Sequence, residues 1–119
     1  MGEVKDKLTV IGRAGIKEVD SIFDSGATFC QIDETLAKEV GIIMLGQKMT
    51  QELGDKRKVE AEIGFGVVQI KKCTIPTLFA VSPQGTYKMI IGQNLMQPYG
   101  VKLDLQKETY EVACPMPRA

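Results

Sequence analysis

Apolar and polar positions alternate through most of this chain, in short runs cut by glycine and proline, a pattern that predicts strands more than helices. Residues 5–11 and 16–23 read as two strands joined across Gly12 to Gly15, an early hairpin, and 28–32 as a third, short one. Asp33 then stands as a helix N-cap before Glu34, with Leu36 and Val40 four apart on one face and Gly41 closing the helix. Strands follow at 48–52 and 57–67, around Leu53-Gly54-Asp55-Lys56. In the second of these, Val59, Ala61, Ile63, Phe65 and Val67 alternate with Lys58, Glu60 and Glu62. The phase slips at Val67-Val68, near Gly64 and Gly66, predicting a bulge where a long strand passes from one layer to another. Residues 74–81 form a further strand, with Pro76 marking an edge or bulge, and Ser82-Pro83-Gln84-Gly85 is a turn. A strand over 87–91 runs into Gly92. Val101, Leu103 and Leu105 alternate with polar residues, and 109–114 pairs back as a hairpin. Pro98 is expected to cut short the helix after Gly92, with a turn ending at Gly100. The tail 115–119 is expected to be weakly ordered. These elements predict one mainly antiparallel all-β domain over 1–119, a closed or nearly closed barrel with one or two short helices.

Two segments echo each other. Ile22-Phe23-Asp24-Ser25-Gly26 and Met89-Ile90-Ile91-Gly92 are each an apolar strand ending in a glycine turn, with a short helix candidate downstream. That is the pattern of two related half-units.

Composition narrows the chemistry. The chain has 119 residues, 44% hydrophobic and 25% charged, enough for one core and too few for two domains. Fifteen basic residues balance fifteen acidic ones, which speaks against a nucleic-acid or membrane partner. No apolar run is long enough to span a bilayer, and no basic-then-apolar leader is visible. Histidine is absent, which removes Ser-His and Cys-His nucleophilic sites and HExxH zinc sites, leaving acid–base work to carboxylates, lysines, tyrosines or thiols. Cys30, Cys73 and Cys114 are odd in number and widely spaced, with no CxxC pair. They are expected to be reduced thiols in a cytoplasmic compartment, Cys30 a small buried residue. No metal and no cofactor is expected.

In Ile22-Phe23-Asp24-Ser25-Gly26-Ala27-Thr28 a strand of bulky residues delivers an acid onto a tight turn of small ones. Gly26 permits positive φ or close backbone approach. Taken alone, Asp24 is better explained by an Asx-turn, its carboxylate bonding a backbone N–H two residues on.

Read together, the two halves carry more. Asp24-Ser25-Gly26-Ala27 resembles the D-[TS]-G-A signature of retropepsin-like aspartic proteases, and Ile90-Ile91-Gly92-Gln93-Asn94-Leu95 resembles their second motif, I-[IL]-G-[RQ]-[ND]-L. Tyr99 to Asp104 continues the likeness, and Leu53-Gly54-Asp55-Lys56 falls where that family has its flap. The resemblance implies a closed acid-protease barrel of the single-domain cellular or prokaryotic type. It implies a homodimer in which each subunit supplies one Asp24, since two carboxylates about 3 Å apart share a proton and activate a water. Ser25 would bond across the two-fold axis and Gly26 would let the loop approach substrate, completing a catalytic set of Asp24, Ser25 and Gly26. Ala27, Thr28, Ile90 and the flap residues Leu53, Gly54 and Asp55 would bind an extended peptide by strand addition. Ile22, Ile63 and Val81 are further candidate pocket walls.

The chain departs from the retroviral pattern at Thr28, where Asp is usual, and at Gln93, where Arg is usual. Losing both partners of that ion pair is self-consistent, and a Thr28–Gln93 hydrogen bond is the expected replacement. Two other readings stand beside the protease. One is a dimeric peptide-binding module of the same fold without turnover. The other is a small β-barrel interaction domain with a coincidental DSGA turn.

Overall fold

The computed structural model describes residues 2–52 and 57–114, Glu52 by its backbone only. Nine strands and two short helices follow in the order β1 (Val4–Ile11), β2 (Ile16–Phe23), β3 (Cys30–Asp33), α1 (Glu34–Val40), β4 (Ile43–Glu52), β5 (Lys58–Ile70), β6 (Cys73–Ser82), β7 (Met89–Ile91), α2 (Gln93–Met96), β8 (Val101–Asp104) and β9 (Thr109–Val112). Seven strands form one sheet, β1-β2-β7-β3-β6-β5-β4, which β1–β5 pairing closes into a six-stranded barrel with β4 as an appended arm. The barrel is mixed: β2–β7 and β3–β6 run parallel, the other pairs antiparallel. β8 and β9 form a separate hairpin.

Inward positions alternate along the strands, so Val4, Leu8 and Val10 of β1 share one buried core with Val68, Ile75 and Phe79. Side chains of this size each contribute roughly 1.5–3 kcal/mol when fully buried. β5 changes partner along its length, pairing with β4 at Lys58 to Phe65 and with β1 at Val67 to Gln69, which carries it from the arm into the barrel wall. The expected bulge at Val67-Val68 is not formed, because the β5–β6 register runs unbroken from Glu62 to Ile70. No residue is inserted there, and Gly64 instead allows close packing: a Cβ on it would lie 2.6 Å from Ile42 Cγ2. The register shift falls instead on β4, between Met44 and Lys48, where Gly46 has φ +74°. β4 therefore begins five residues earlier than the alternation predicted, since Ile43, Met44 and Leu45 are exposed and show no period. Pro76 sits opposite Val67 where β6 has no second neighbour, β3 joining only at Phe79 to Ser82, so its missing N–H breaks no ladder.

Helix α1 forms as its caps dictate. Asp33 Oδ2 accepts from the N–H groups of Thr35 and Leu36, at 3.2 and 3.3 Å, and Gly41 ends the helix with φ +79°. Asp33 Oδ1 also accepts from Gln84 N–H at 3.0 Å, tying the cap to the turn after β6. Burial opposes charge on this carboxyl. The N–H groups of Gln84, Leu36 and Thr35, with the Lys88 ammonium, outweigh it and hold the carboxyl below the usual range. Helix α2 stops after Met96, as Pro98 implies, and Gly100 takes φ +61°.

The expectation of three reduced thiols is corrected for two of them. Cys73 and Cys114 form a disulfide, their Cα atoms 5.8 Å apart, while Cys30 is a buried free thiol. Sequence spacing gives no hint of this pairing, since the β8–β9 hairpin has to fold back over the barrel before the two meet. No helix of the described residues is long and apolar enough to cross a membrane.

Two outcomes follow. A folded-state pKa below the unfolded value stabilises above that unfolded value, and the contribution is lost as pH falls through the folded pKa. The stability gap between wild type and Asp33→Asn should thus be constant near neutrality and close below about pH 4 in urea titrations across pH. Opening the Cys73–Cys114 cross-link, which joins residues 41 apart, should lower stability by about 4 kcal/mol on a loop-entropy basis. Denaturation with and without reductant measures it, and thiol counting without reductant should find a single sulfhydryl, exposed only on unfolding.

Candidate active site

The topology that positions Asp24 is the insertion of β7 between β2 and β3. Ile22 and Phe23 pair in parallel with Ile90 and Ile91, and Gln31 and Ile32 pair antiparallel with Ile90 and Met89. The chain leaving β2 must therefore cross the end of β7 to reach β3, and residues 24–29 make that crossing. The two echoing segments of the sequence thus become neighbouring strands.

Asp24 N–H donates to Ile91 O at 3.0 Å, adding one rung to the β2–β7 ladder. The turn then closes on itself, with Gly26 N–H donating to Asp24 Oδ1 at 2.9 Å and Ala27 N–H to Asp24 O at 3.1 Å. The Asx-turn expected from the sequence is present, and it orients the carboxylate rather than consuming it: one N–H is spent on Oδ1. Asp24, Ser25 and Gly26 are exposed, and no cation is paired with Asp24 among the described residues. Ser25 Oγ makes no hydrogen bond with the described residues, and Thr28 is exposed beside it.

The second glycine turn lies beneath the first. Gln93 N–H donates to Ala27 O at 2.8 Å and Asn94 N–H to Thr28 O at 2.9 Å. Gln93 Nε2 donates to Ser25 O at 3.0 Å, so the expected bond to Thr28 is replaced by one to the loop backbone. Asn94 acts as a bracket missed in the sequence reading, although it stands in the quoted motif: its Oδ1 accepts from Cys30 N–H at 2.8 Å and its Nδ2 donates to Leu78 O at 3.0 Å. The Cys30 thiol is pushed up by burial, partly offset by the N–H of Gly92, and lies beneath the turn as an unreactive packing group.

The glycines divide the labour differently than expected. Gly26 does not take positive φ, and a Cβ there would meet only Asp24 Oδ1, at 3.3 Å. At Gly92 a Cβ would lie 2.6 Å from the Phe29 carbonyl carbon and oxygen. Close approach, not backbone freedom, requires this second glycine.

Partner residues on adjacent strands share a face, so Ile22, Ile90, Gln31, Ala80 and Ile63 form one row across β2, β7, β3, β6 and β5. Asp24 lies two residues beyond Ile22, on the same side by strand alternation. Of the residues assigned to peptide binding, Ile90 lies in this row, while Ala27 and Thr28 stand in the loop that follows Asp24. Leu53, Gly54 and Asp55 lie outside the described residues. Val81 falls on the opposite face of β6 and lines a separate cavity of about 380 Å³ between α1 and the β4–β5 arm. No group of three or more metal-ligating side chains occurs among the described residues.

Substitution of the two glycines should separate their roles. Gly92→Ala forces the Phe29 carbonyl aside and should cost about 3 kcal/mol, while Gly26→Ala should stay within about 1 kcal/mol, both measured by urea denaturation. No family model matches this chain, and no curated protein does. Among solved structures it is similar to the retroviral protease-like domain of Ddi1 from Leishmania major, at TM-score 0.64 and 20% sequence identity over 94% of this chain and 89% of that one. The fold is retropepsin-like.

Proposed function

We propose that this chain is half of a homodimeric aspartic endopeptidase, hydrolysing peptide bonds with a water held between two Asp24 carboxylates, one per subunit. The observation that supports this reading most is the Asp24 turn itself. An exposed carboxylate without a cationic partner among the described residues stands at a strand end. A second glycine turn clamps it from below, in a retropepsin-like barrel.

The chemistry needs two such acids sharing one proton. The ionised carboxylate takes a proton from water as its oxygen attacks the peptide carbonyl carbon, and the protonated carboxyl donates to the carbonyl oxygen. The resulting gem-diol collapses as the first carboxyl passes its proton to the leaving nitrogen, the C–N bond breaks, and the second carboxylate takes the proton of one diol hydroxyl while the carbonyl of the new acid re-forms. In this reading Ser25 Oγ, which has no partner among the described residues, bonds across the two-fold axis. Gly26 leaves room for the partner's loop, and Ala27, Thr28 and Ile90 flank an extended peptide lying along the face that carries Ile22.

Asp24→Asn keeps the volume and the Gly26 N–H contact while removing the exchangeable proton. Hydrolysis of unfolded protein or peptide pools should fall at least about 100-fold, with the thermal transition unchanged. Specific activity of wild type should drop on dilution in step with a dimer-to-monomer transition in sedimentation. Retained turnover in Asp24→Asn, or an active monomer, overturns the proposal; tight peptide binding without hydrolysis by the wild type would leave a dimeric peptide-binding module.

A further inference from the structure

At the middle of the row, beside Gln31, four uncharged side chains form a hydrogen-bonded chain that the catalytic reading does not use. Gln84 Nε2 contacts Ser82 Oγ at 3.0 Å and the Ser82 carbonyl oxygen at 3.5 Å. A carbonyl only accepts, so the Gln84 atom is the amide nitrogen and donates. Ser82 Oγ, accepting there, directs its own hydrogen to Gln51 Oε1 at 3.0 Å. The Gln51 amide nitrogen is then left to donate to Gln31 Oε1, at 2.6 Å. Each amide is set by the one before it. The chain is anchored at its start, where Gln84 N–H is bound by Asp33 Oδ1, and Ser82 is itself buried.

The last member is Gln31. Its oxygen is occupied, and its Nε2 has no partner among the described residues. Gln31 pairs with Ile90, which pairs with Ile22, two residues from Asp24. It thus lies two strand spacings, roughly 10 Å, across the sheet from the Asp24 strand, within the reach of three residues of extended peptide.

The geometry points to Gln31 as a specificity-determining residue, a fixed amide donor that selects a substrate side chain carrying an acceptor oxygen (Asn, Gln, Asp or Glu) within three residues of the cleaved bond. Fixing matters because a free glutamine presents oxygen or nitrogen by turning over and so discriminates little. With Gln51 holding its oxygen, only N–H is offered, and an apolar side chain there leaves it without an acceptor. This assignment rests on the peptide-cleft reading above and extends it to the class of side chain recognised.

The test uses synthetic octapeptides, acetylated and amidated at their ends, that differ only by Asp, Asn or Leu at one position in turn. Cleavage rates are read on wild type, Gln31→Glu, Gln31→Leu and Ser82→Ala, and binding by anisotropy on wild type and on each of these changes in the Asp24→Asn background. Asp and Asn should be favoured over Leu at least tenfold at one position. Gln31→Glu, which puts an acceptor where the donor stood, should abolish the preference for Asp there and leave other positions unchanged. Gln31→Leu should favour Leu. Ser82→Ala frees Gln51 to turn over and should reduce discrimination to about threefold or less. Cleavage with a profile indifferent to Gln31→Glu overturns this assignment and spares the protease. Binding with the Gln31-dependent preference but no cleavage does the reverse, and failure of every protein to bind any peptide overturns both.

Discussion

The site depends on one close approach, that of Gly92 to the carbonyls of the loop carrying Asp24. Because β7 lies between β2 and β3, the loop between those two strands must pass over the β7 end, and its carbonyls point at the start of α2. Two N–H groups of that helix, on Gln93 and Asn94, meet the carbonyls of Ala27 and Thr28. A helix start has unpaired donors and a crossing loop has unpaired acceptors, so each satisfies the other's need. Side chains at Gly92 would hold the two apart. The acid at the loop's head therefore owes its position to a residue 68 places away from it, through the bracket of Gln93 on Ser25 O.

The rest of the molecule supports this junction from two sides. From below, Phe23, the residue before Asp24, packs against Tyr110 of the β8–β9 hairpin with ring centroids 4.4 Å apart. Tyr110 is held in turn by its hydroxyl, which donates to Asp6 Oδ2 at 2.6 Å, and by the Lys71 ammonium, 4.5 Å from the ring centroid. Burial first, and the Asp6 carboxylate second, raise the phenol well above its ordinary range, so it remains a donor at any physiological pH. The Cys73–Cys114 disulfide fastens the end of the same hairpin to the start of β6. From the other side, the amide chain ending at Gln31 joins the β4–β5 arm to the barrel.

Local structure was accessible from local sequence wherever one side chain does the work within a few residues. Asp33 and Gly41 mark the ends of α1 because capping bonds span only a turn, and the Asx-turn at Asp24 closes two residues on. Strand alternation located most of the barrel, since one face of each strand meets the interior. It missed the start of β4, where Ile43, Met44 and Leu45 are exposed, and it placed a bulge at Val67-Val68 where the β5–β6 register runs unbroken. The echo between the Asp24 and Gly92 segments was visible in the chain as a repeat of residue types; that the two strands lie side by side was not.

Side-chain type and short-range spacing account for most of the elements, the capped helix, the acid on its tight turn and the exclusion of histidine chemistry. Tertiary structure alone decided the threading of β7 between β2 and β3, the closure of β1 on β5, the disulfide and the order of donors running through Gln84, Ser82, Gln51 and Gln31. Apart from the Gln84–Ser82 link, each of those joins residues far apart in the chain, and no periodicity records it. The partners meet because the packed barrel wall brings them within hydrogen-bonding distance.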